Sequence, residues 1–291
     1  AVGGLIGDCG GTAVENCAAA STVNGDDAVG ALVGFCHEST VTDCRAEGTT
    51  VGRCSVGGLV GYCAGEDWES PAMLSACSAN GATMGADTVG GLVGLNEGAG
   101  ILECYAAGPV TALWLGDWSG TRAGGLIAYN TGWVAACYAI GDVTGYRHVG
   151  GLIGTNDTVA VQCYSAGAVA GISNVGGLVG SGFGEAIDCY WDTEASGWEV
   201  SAGGSGRTTA QMHARDTYED WDFESIWGIW PDLNSGYPYL EGLRNRSATV
   251  FLTNLTVTYD GLGHTPTVAT DPAGLPVAIT SAKGFLTLVH R

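Results

Sequence analysis

Lysine is almost absent. The 291 residues contain one, Lys283, and ten basic side chains in all stand against thirty acidic ones, for a net charge of −20. That balance speaks against a nucleic-acid partner, because phosphate neutralisation needs a basic surface. Anionic lipid is disfavoured for the same reason. No run of about 20 apolar residues is present, so membrane insertion by a helix is not expected. The spacings of zinc sites, the EF-hand loop and the calcium nonapeptide are missing as well. No cofactor is therefore expected. A calcium-rich or salty habitat is compatible with the acids, although no motif points to calcium. The plainer reading is that the acids keep a Gly- and Val-rich surface soluble.

What the chain does have is glycine, 50 residues of it, and one recurring phrase. Val149-Gly150-Gly151-Leu152-Ile153-Gly154 has near copies at Val2–Gly7, Val29–Gly34, Val56–Gly61, Val89–Gly94, Ala123–Ala128 and Val175–Gly180. The first Gly of each pair marks steps of 27, 27, 33, 34, 26 and 26 residues. Cys17, Cys44, Cys77, Cys104, Cys137, Cys163 and Cys189 move in step with it. Two markers in register over seven units indicate a solenoid or a propeller, and propeller blades need about 40 residues each. Each unit reads as two or three short strands separated by Gly, Asn, Asp and Ser turns. The expected fold is all-β, a parallel β-solenoid of about seven coils over residues 1–189. Its stacked coils would span roughly 34 Å at the usual strand spacing.

Leu5, Leu32, Leu59, Leu92, Leu126, Leu152 and Leu178 share one position of the phrase, always followed by Val or Ile. Neighbours in a strand face opposite sides, so this strand is expected to be apolar on both faces. One face lines the core. The other is either covered by another layer of the chain or left as an assembly stripe.

The long steps are insertions, residues 65–72 (GEDWESPA) and 113–119 (LWLGDWS). Insertions in repeats become surface loops, often on a binding face. Trp68, Trp114 and Trp118 are therefore candidate ligand contacts, for instance for a sugar ring. The competing reading folds them back over exposed core edge.

Eleven cysteines need an account. Cys9 with Cys17, Cys36 with Cys44 and Cys63 with Cys77 form near pairs, and three intra-coil disulfides are the expectation. Two alternatives stay open: a buried ladder of reduced thiols, and bridges between coils. In later units the first cysteine is replaced by Asn96, Asn130 and Asn156. There the residue after the second is Tyr105, Tyr138, Tyr164 or Tyr190. Asn and Tyr ladders are expected in that half. Cys54 fits no position of the pattern and is read as an unpaired or intermolecular thiol.

Residues 190–240 break the repeat and contain five of the nine tryptophans, which suits a cap over the last coil. Thr208 to Met212 fits a short helix with a Thr cap. Residues 241–248 read as a linker, and 249–291 as a small, incomplete Ig-like β segment of three or four strands. The chain opens inside a repeat, which reads as a processed or truncated piece of a longer secreted protein.

The phrases VGGLVGLN…ECYAAG and VGGLIGTN…QCYSAG resemble the GLUG repeat of large bacterial surface proteins, adhesins and IgA-protease-like proteins among them. CYWDTEASG, TTAQM and GYPYL resemble the segment that closes such arrays. Residues 255–279 resemble the first half of an MBG-type bacterial Ig-like domain. The early coils depart from the repeat in carrying Cys where Asn is usual, and the tail SAKGFLTLVHR departs from the Ig-like pattern. The resemblance implies β-solenoid architecture and a cell-surface location, and it supplies no catalytic residues.

Enzymes exist on β-helices, but the residues do not assemble one here. Arg45, Arg53, Arg122 and Arg147 lie in separate units. Asp188, Asp192 and Glu194 are the best carboxylate cluster, placed where turn-forming acids are expected. The histidines, His37, His148, His213, His264 and His290, have no nucleophile pattern beside them. The expectation is a non-catalytic extracellular stalk, adhesin segment or filament subunit. Its partners would be itself, neighbouring domains, or a glycan or host surface.

Overall fold

A computed structural model describes residues 1–65, 72–113, 121–244 and four strands beyond them, 249–253, 267–271, 277–282 and 285–290. It divides into two units, Ala1–Glu241 and Gly242–Arg291.

The first unit is a stack of seven coils. Coil 1 contains five strands: β1 (Val2–Gly3), β2 (Ile6–Gly10), β3 (Ala13–Glu15), β4 (Ala18–Ala19) and β5 (Val23–Asn24). Coils 2 to 6 repeat them in order, coil 7 repeats the first four, and like strands pair in parallel from coil to coil. Five parallel sheets result, of seven, seven, seven, eight and six strands for β1 to β5. The sequence register is kept throughout: Val2 pairs with Val29, Val29 with Val56 and Val56 with Val89. A parallel β-solenoid is thus established. Its strands are more numerous and shorter than the spacing suggested, because each coil turns sharply five times.

Two of those corners explain the difference. Just before each marker cysteine stands a residue in the left-handed region: Asn16, Asp43, Ala76, Glu103, Ala136, Gln162 and Asp188, with φ between 49° and 59°. Such a conformation costs an L-residue roughly 1–2 kcal/mol, and seven stacked coils impose it on side chains of every kind. The other corner lies inside the repeated phrase. The β1-type strand ends on the first Gly, the chain bends over the next two residues, and the β2-type strand begins on Val or Ile. A Cβ on Gly90 would stand 1.9 Å from the Val93 carbonyl oxygen, and on Gly30 it would stand 2.0 Å from that of Val33. Only glycine closes this corner.

That bend corrects the expectation of a strand apolar on two faces. Leu and its neighbour straddle a corner instead of alternating along a strand. Both turn inward: Leu32 and Val33, Leu59 and Val60, and Leu92 and Val93 are all fully buried in the same core. Leu126, Leu152 and Leu178 are equally buried, while Leu5, in the first coil, is 55% exposed. No lateral assembly stripe exists at this position in coils 2 to 7. The preceding Val belongs to a second, separate core strip. Val29, Val56, Val89 and Val149 pack there against Val23, Val110, Val143 and Val169 of the β5-type strands.

After coil 7 the chain does two things. Residues 198–204 lie across the open end, where Gly177 N–H donates to the Val200 carbonyl and Ala202 N–H to that of Val179. Strand β6 (Ser205–Arg207) then pairs with residues 190–192. Helix α1 (Thr193–Ser196) starts on Asp192, whose Oδ1 accepts from the N–H groups of Glu194 and Ala195. Helix α2 (Thr209–Met212) has the expected Thr208 cap, closed as a capping box with Gln211. From there to Leu240 the chain packs on the tyrosines of the later coils. It runs back along the side of the solenoid, over the tyrosines of coils 5 to 7. Residues 241–248, read as a linker, open with a helical turn, α3 (Glu241–Arg244).

The second unit shows two antiparallel strand pairs, Thr249–Thr253 with Thr267–Asp271 and Val277–Ala282 with Phe285–His290. Among its described residues this unit has four strands.

Candidate functional site

The stacking turns single residues into columns. All eleven cysteines are free thiols, so the three intra-coil bridges are not made. The reason is that Cys9, Cys36 and Cys63 form one column, each in register with the next. The second cysteines form another, at the start of the β4-type strands. Each thiol of that second column donates to the carbonyl two residues earlier, as in Cys77 to Ser75 at 3.2 Å and Cys137 to Ala135 at 3.1 Å. Backbone N–H groups contact the next sulfur along, Cys104 N to Cys137 Sγ at 3.4 Å. Burial raises the Cys137 and Cys189 thiols above their ordinary range and keeps them protonated. Cys54 pairs in register with Asp27 and Asp87 and is half-buried, and burial raises its thiol too.

The first column continues as amides. Asn96 Nδ2 donates to Asn130 Oδ1 at 2.7 Å, and Asn130 Nδ2 to Asn156 Oδ1 at 2.8 Å. The tyrosines stack beside it. Tyr105 and Tyr138 are 4.9 Å apart and nearly coplanar in tilt at 4°, and Tyr138 and Tyr164 follow at 5.0 Å and 7°. Trp227 packs against both Tyr138 and Tyr164, and Tyr237 stacks on Tyr164. Tyr164 donates its hydroxyl to the Pro238 carbonyl at 2.5 Å and accepts from Asn234 Nδ2 at 2.8 Å. Burial raises the Tyr138 and Tyr164 phenols well above their ordinary value.

Of the carboxylates singled out from the sequence, those of Asp192 and Glu194 accept hydrogen bonds. Asp192 is fully buried, and its Oδ2 accepts from the Tyr237 hydroxyl at 2.7 Å. Glu194 accepts from Thr209 N–H at 2.9 Å. Asp188 sits at a left-handed corner, and its carbonyl accepts from Trp221 Nε1. Among the described residues no three or more His, Cys, Asp or Glu side chains are grouped to hold a metal ion.

Two convergences were not anticipated. His148, read as isolated, has Ser181 Oγ 2.7 Å from its Nδ1 and Asn174 Nδ2 3.2 Å from the same nitrogen. Residues 148 and 174 stand one 26-residue step apart, as do 155 and 181, so the repeat length carries this signal. Burial, then Arg122 and Arg147, hold the imidazole below its ordinary pKa. Ser181 also contacts Thr155 at 3.1 Å. Both partners of Nδ1 are neutral groups, so no carboxylate orients the ring through that atom as in a hydrolytic triad.

The second convergence lies in the lateral segment. Trp230 is 60% exposed and stands between two clefts of about 400 and 280 Å³. Arg215, Ile229 and Trp230 are common to both. The tryptophans proposed as ligand contacts from the sequence, Trp68, Trp114 and Trp118, lie outside the described residues.

No family model matches the chain, and no curated protein matches it. A solved structure from Bacteroides ovatus, determined at 1.30 Å and provisionally named an immunoglobulin A1 protease, is similar to it. The identity is 17% and the TM-score 0.48, over 82% of this chain and 70% of that one. That likeness concerns fold, and the protease name belongs to the other protein.

Proposed function

We propose that this chain is a non-catalytic structural segment of an extracellular bacterial surface protein, a stiff spacer that holds other parts of its molecule away from the cell. The observation that supports it is the unbroken register of seven coils. Coils 1 to 6 are tied to one another by backbone pairing on five sides and coil 7 on four, and buried thiol, amide and tyrosine columns run between them. Such a stack resists bending because bending would stretch the inter-coil hydrogen bonds on one side and compress the packed core on the other. Acid excess keeps so long a surface soluble.

The Leu column, buried in coils 2 to 7, offers no lateral apolar strand to support the filament reading. Electron microscopy and small-angle scattering of the purified protein at high concentration test the proposal. Separate rods are the expected result. Ordered fibres would overturn it, as would sedimentation dominated by a defined oligomer. Surface exposure is tested by antibody labelling of intact cells of the source organism, and labelling seen only after lysis would remove the extracellular assignment.

A further inference from the structure

The lateral segment does more than brace the tyrosine column. It leaves two clefts open to solvent, with an exposed indole between them. The larger is walled by His213, Arg215, Trp230 and Ser235, with Ile229 and Pro231 as its apolar part. In a chain of net charge −20 its wall contains no carboxylate, and its ionisable groups are Arg215 and His213. The smaller cleft differs in charge. It is walled by Arg215, Trp227, Trp230, Tyr239 and Glu241, among others, and Tyr239 donates its hydroxyl to Glu241 Oε1 at 3.1 Å.

The two ionisable side chains of the larger cleft pack against aromatic rings. The Arg215 guanidinium lies 5.0 Å over the Phe223 ring. The His213 ring meets Tyr237 edge-on at 4.5 Å. One group in the wall of the smaller cleft lacks a partner. The indole N–H groups of Trp191, Trp198 and Trp221 all donate to backbone carbonyls, whereas Trp227 Nε1 is buried without an acceptor. Trp227 itself is 1% exposed.

We propose that the two clefts form a glycan-binding site for a carboxylate-bearing sugar joined to a neutral one. The acid unit occupies the larger cleft, its carboxylate on Arg215, whose planar donor fork fits that geometry, and its hydroxyls on His213 and Ser235. The indole of Trp230 stacks on the apolar C–H face of a ring, as large exposed aromatics do at binding sites. The neutral unit lies across Trp230 in the smaller cleft, where Glu241 accepts from a hydroxyl. A uniformly acidic polymer with a charge on every ring is disfavoured there by Glu241. This assignment does not rest on the spacer reading, since a site on the side of a stalk and a site on a free rod have the same chemistry.

Titration calorimetry tests it on the whole chain. The acidic probes are a hyaluronan tetrasaccharide and sialyllactose, and the neutral ones are chitotetraose and lactose. At least one acidic probe binds, at least tenfold more tightly than its neutral counterpart. Trp230→Ala lowers that affinity about tenfold or more, in keeping with the loss of a stacking anchor. Arg215→Gln abolishes the preference for the acid, and Arg215→Lys keeps part of it. Melting curves of all three variants stay close to the parent, and Arg215→Lys keeps the test decisive should Arg215→Gln loosen the Phe223 contact. Equal affinity for acidic and neutral probes overturns the proposal. So does undiminished binding by Trp230→Ala, or the absence of binding by every probe at about 10 mM.

Discussion

Asn96 Nδ2 donates to Asn130 Oδ1 across 2.7 Å, and the direction of that bond is the same one coil further on. Each amide gives its N–H forward and presents its oxygen backward. Asn96 is the first of the run, so its Oδ1 faces the coil that carries Cys63, and this oxygen is buried without a partner. A ladder with a direction therefore has a defective end, at the point where the cysteine half meets the asparagine half.

The first prediction concerns that junction. Cys63→Ser places a stronger donor opposite Asn96 Oδ1, whereas Cys36→Ser has only Cys9 and Cys63 for neighbours in its column. Satisfying a buried acceptor contributes about 1 kcal/mol. Cys63→Ser is expected to be less destabilising than Cys36→Ser by roughly that amount in urea unfolding. Equal costs for the two would show that the Asn96 oxygen is not the deciding partner. Asn130→Ala, which strands Asn156 Oδ1 and interrupts the run, should cost about 2–4 kcal/mol.

The thiol columns make a chemical prediction. Only Cys17 and Cys54 are other than buried. Native protein should therefore expose at most these two to a thiol reagent, and denatured protein all eleven. Intact mass should be the same before and after reduction. A gain of about 2 Da per bridge on reduction would restore the disulfide reading, in the form of links between coils.

The glycine corner is crowded at two successive positions. The first Gly of the phrase is present in all seven copies, and on Gly90 a Cβ would stand 1.9 Å from backbone oxygen. The second is already Ala31 in coil 2. Gly90→Ala should cost about 3 kcal/mol or more, as a backbone clash inside a packed core does. Gly58→Ala, whose Cβ would stand 2.0 Å from the Gly91 carbonyl oxygen, should cost about as much. Chemical denaturation of the two variants measures both costs, and a clearly smaller one at Gly58 would mean that its coil relaxes as coil 2 does around Ala31.

His148 makes stability depend on pH. Burial and the two arginines lower its folded pKa below the ordinary 6.5. The unfolded chain then binds the proton more readily than the folded one. Stability from this group is full above about pH 6.5 and falls as pH drops toward the folded value. His148→Gln removes the proton site and keeps a polar side chain beside Ser181 and Asn174. Urea midpoints at pH 7 and pH 5 should differ less in this variant than in the parent. Asp26 and Asp222, whose carboxylates are held below their ordinary range by Arg53 and by Ser225, act at more acidic pH. An unchanged pH slope in His148→Gln would place the dependence on other groups.

The coil count, the parallel stacking, the Thr208 cap and the two ladders were legible because each depends on one residue type recurring at the coil length. The corners were not. The left-handed residue before each cysteine is Asn, Asp, Ala, Glu or Gln, so backbone geometry recurs there without a residue type to mark it. The bend inside the phrase defeated the alternation rule, which holds only along a continuous strand. The path of the lateral segment was hidden for another reason. Trp227 meets Tyr138 across 89 positions of sequence, and nothing periodic links them. The cysteine pairs misled because the corners between them put the two cysteines in separate columns, while stacking aligns like with like.

The β5-type column supplies the last prediction. Its inward position is Val23, Thr50, Thr83, Val110, Val143 and Val169, one residue per coil, paired in register. Four of these are Val in the second core strip. Thr50 and Thr83 are fully buried in the same column, and the hydroxyl of each has no partner. A buried hydroxyl without a partner costs about 1–3 kcal/mol, and Val has nearly the same shape and an equal liking for strands. Thr50→Val and Thr83→Val should therefore each stabilise the solenoid by about 1 kcal/mol, or roughly 2–4 °C in melting temperature for a unit of this size. The two sites sit in adjacent coils and touch, so the double variant need not equal the sum. A loss of stability in either single variant would show that its hydroxyl is satisfied by a buried water, and exchange-resolved calorimetry would then find that water released on substitution.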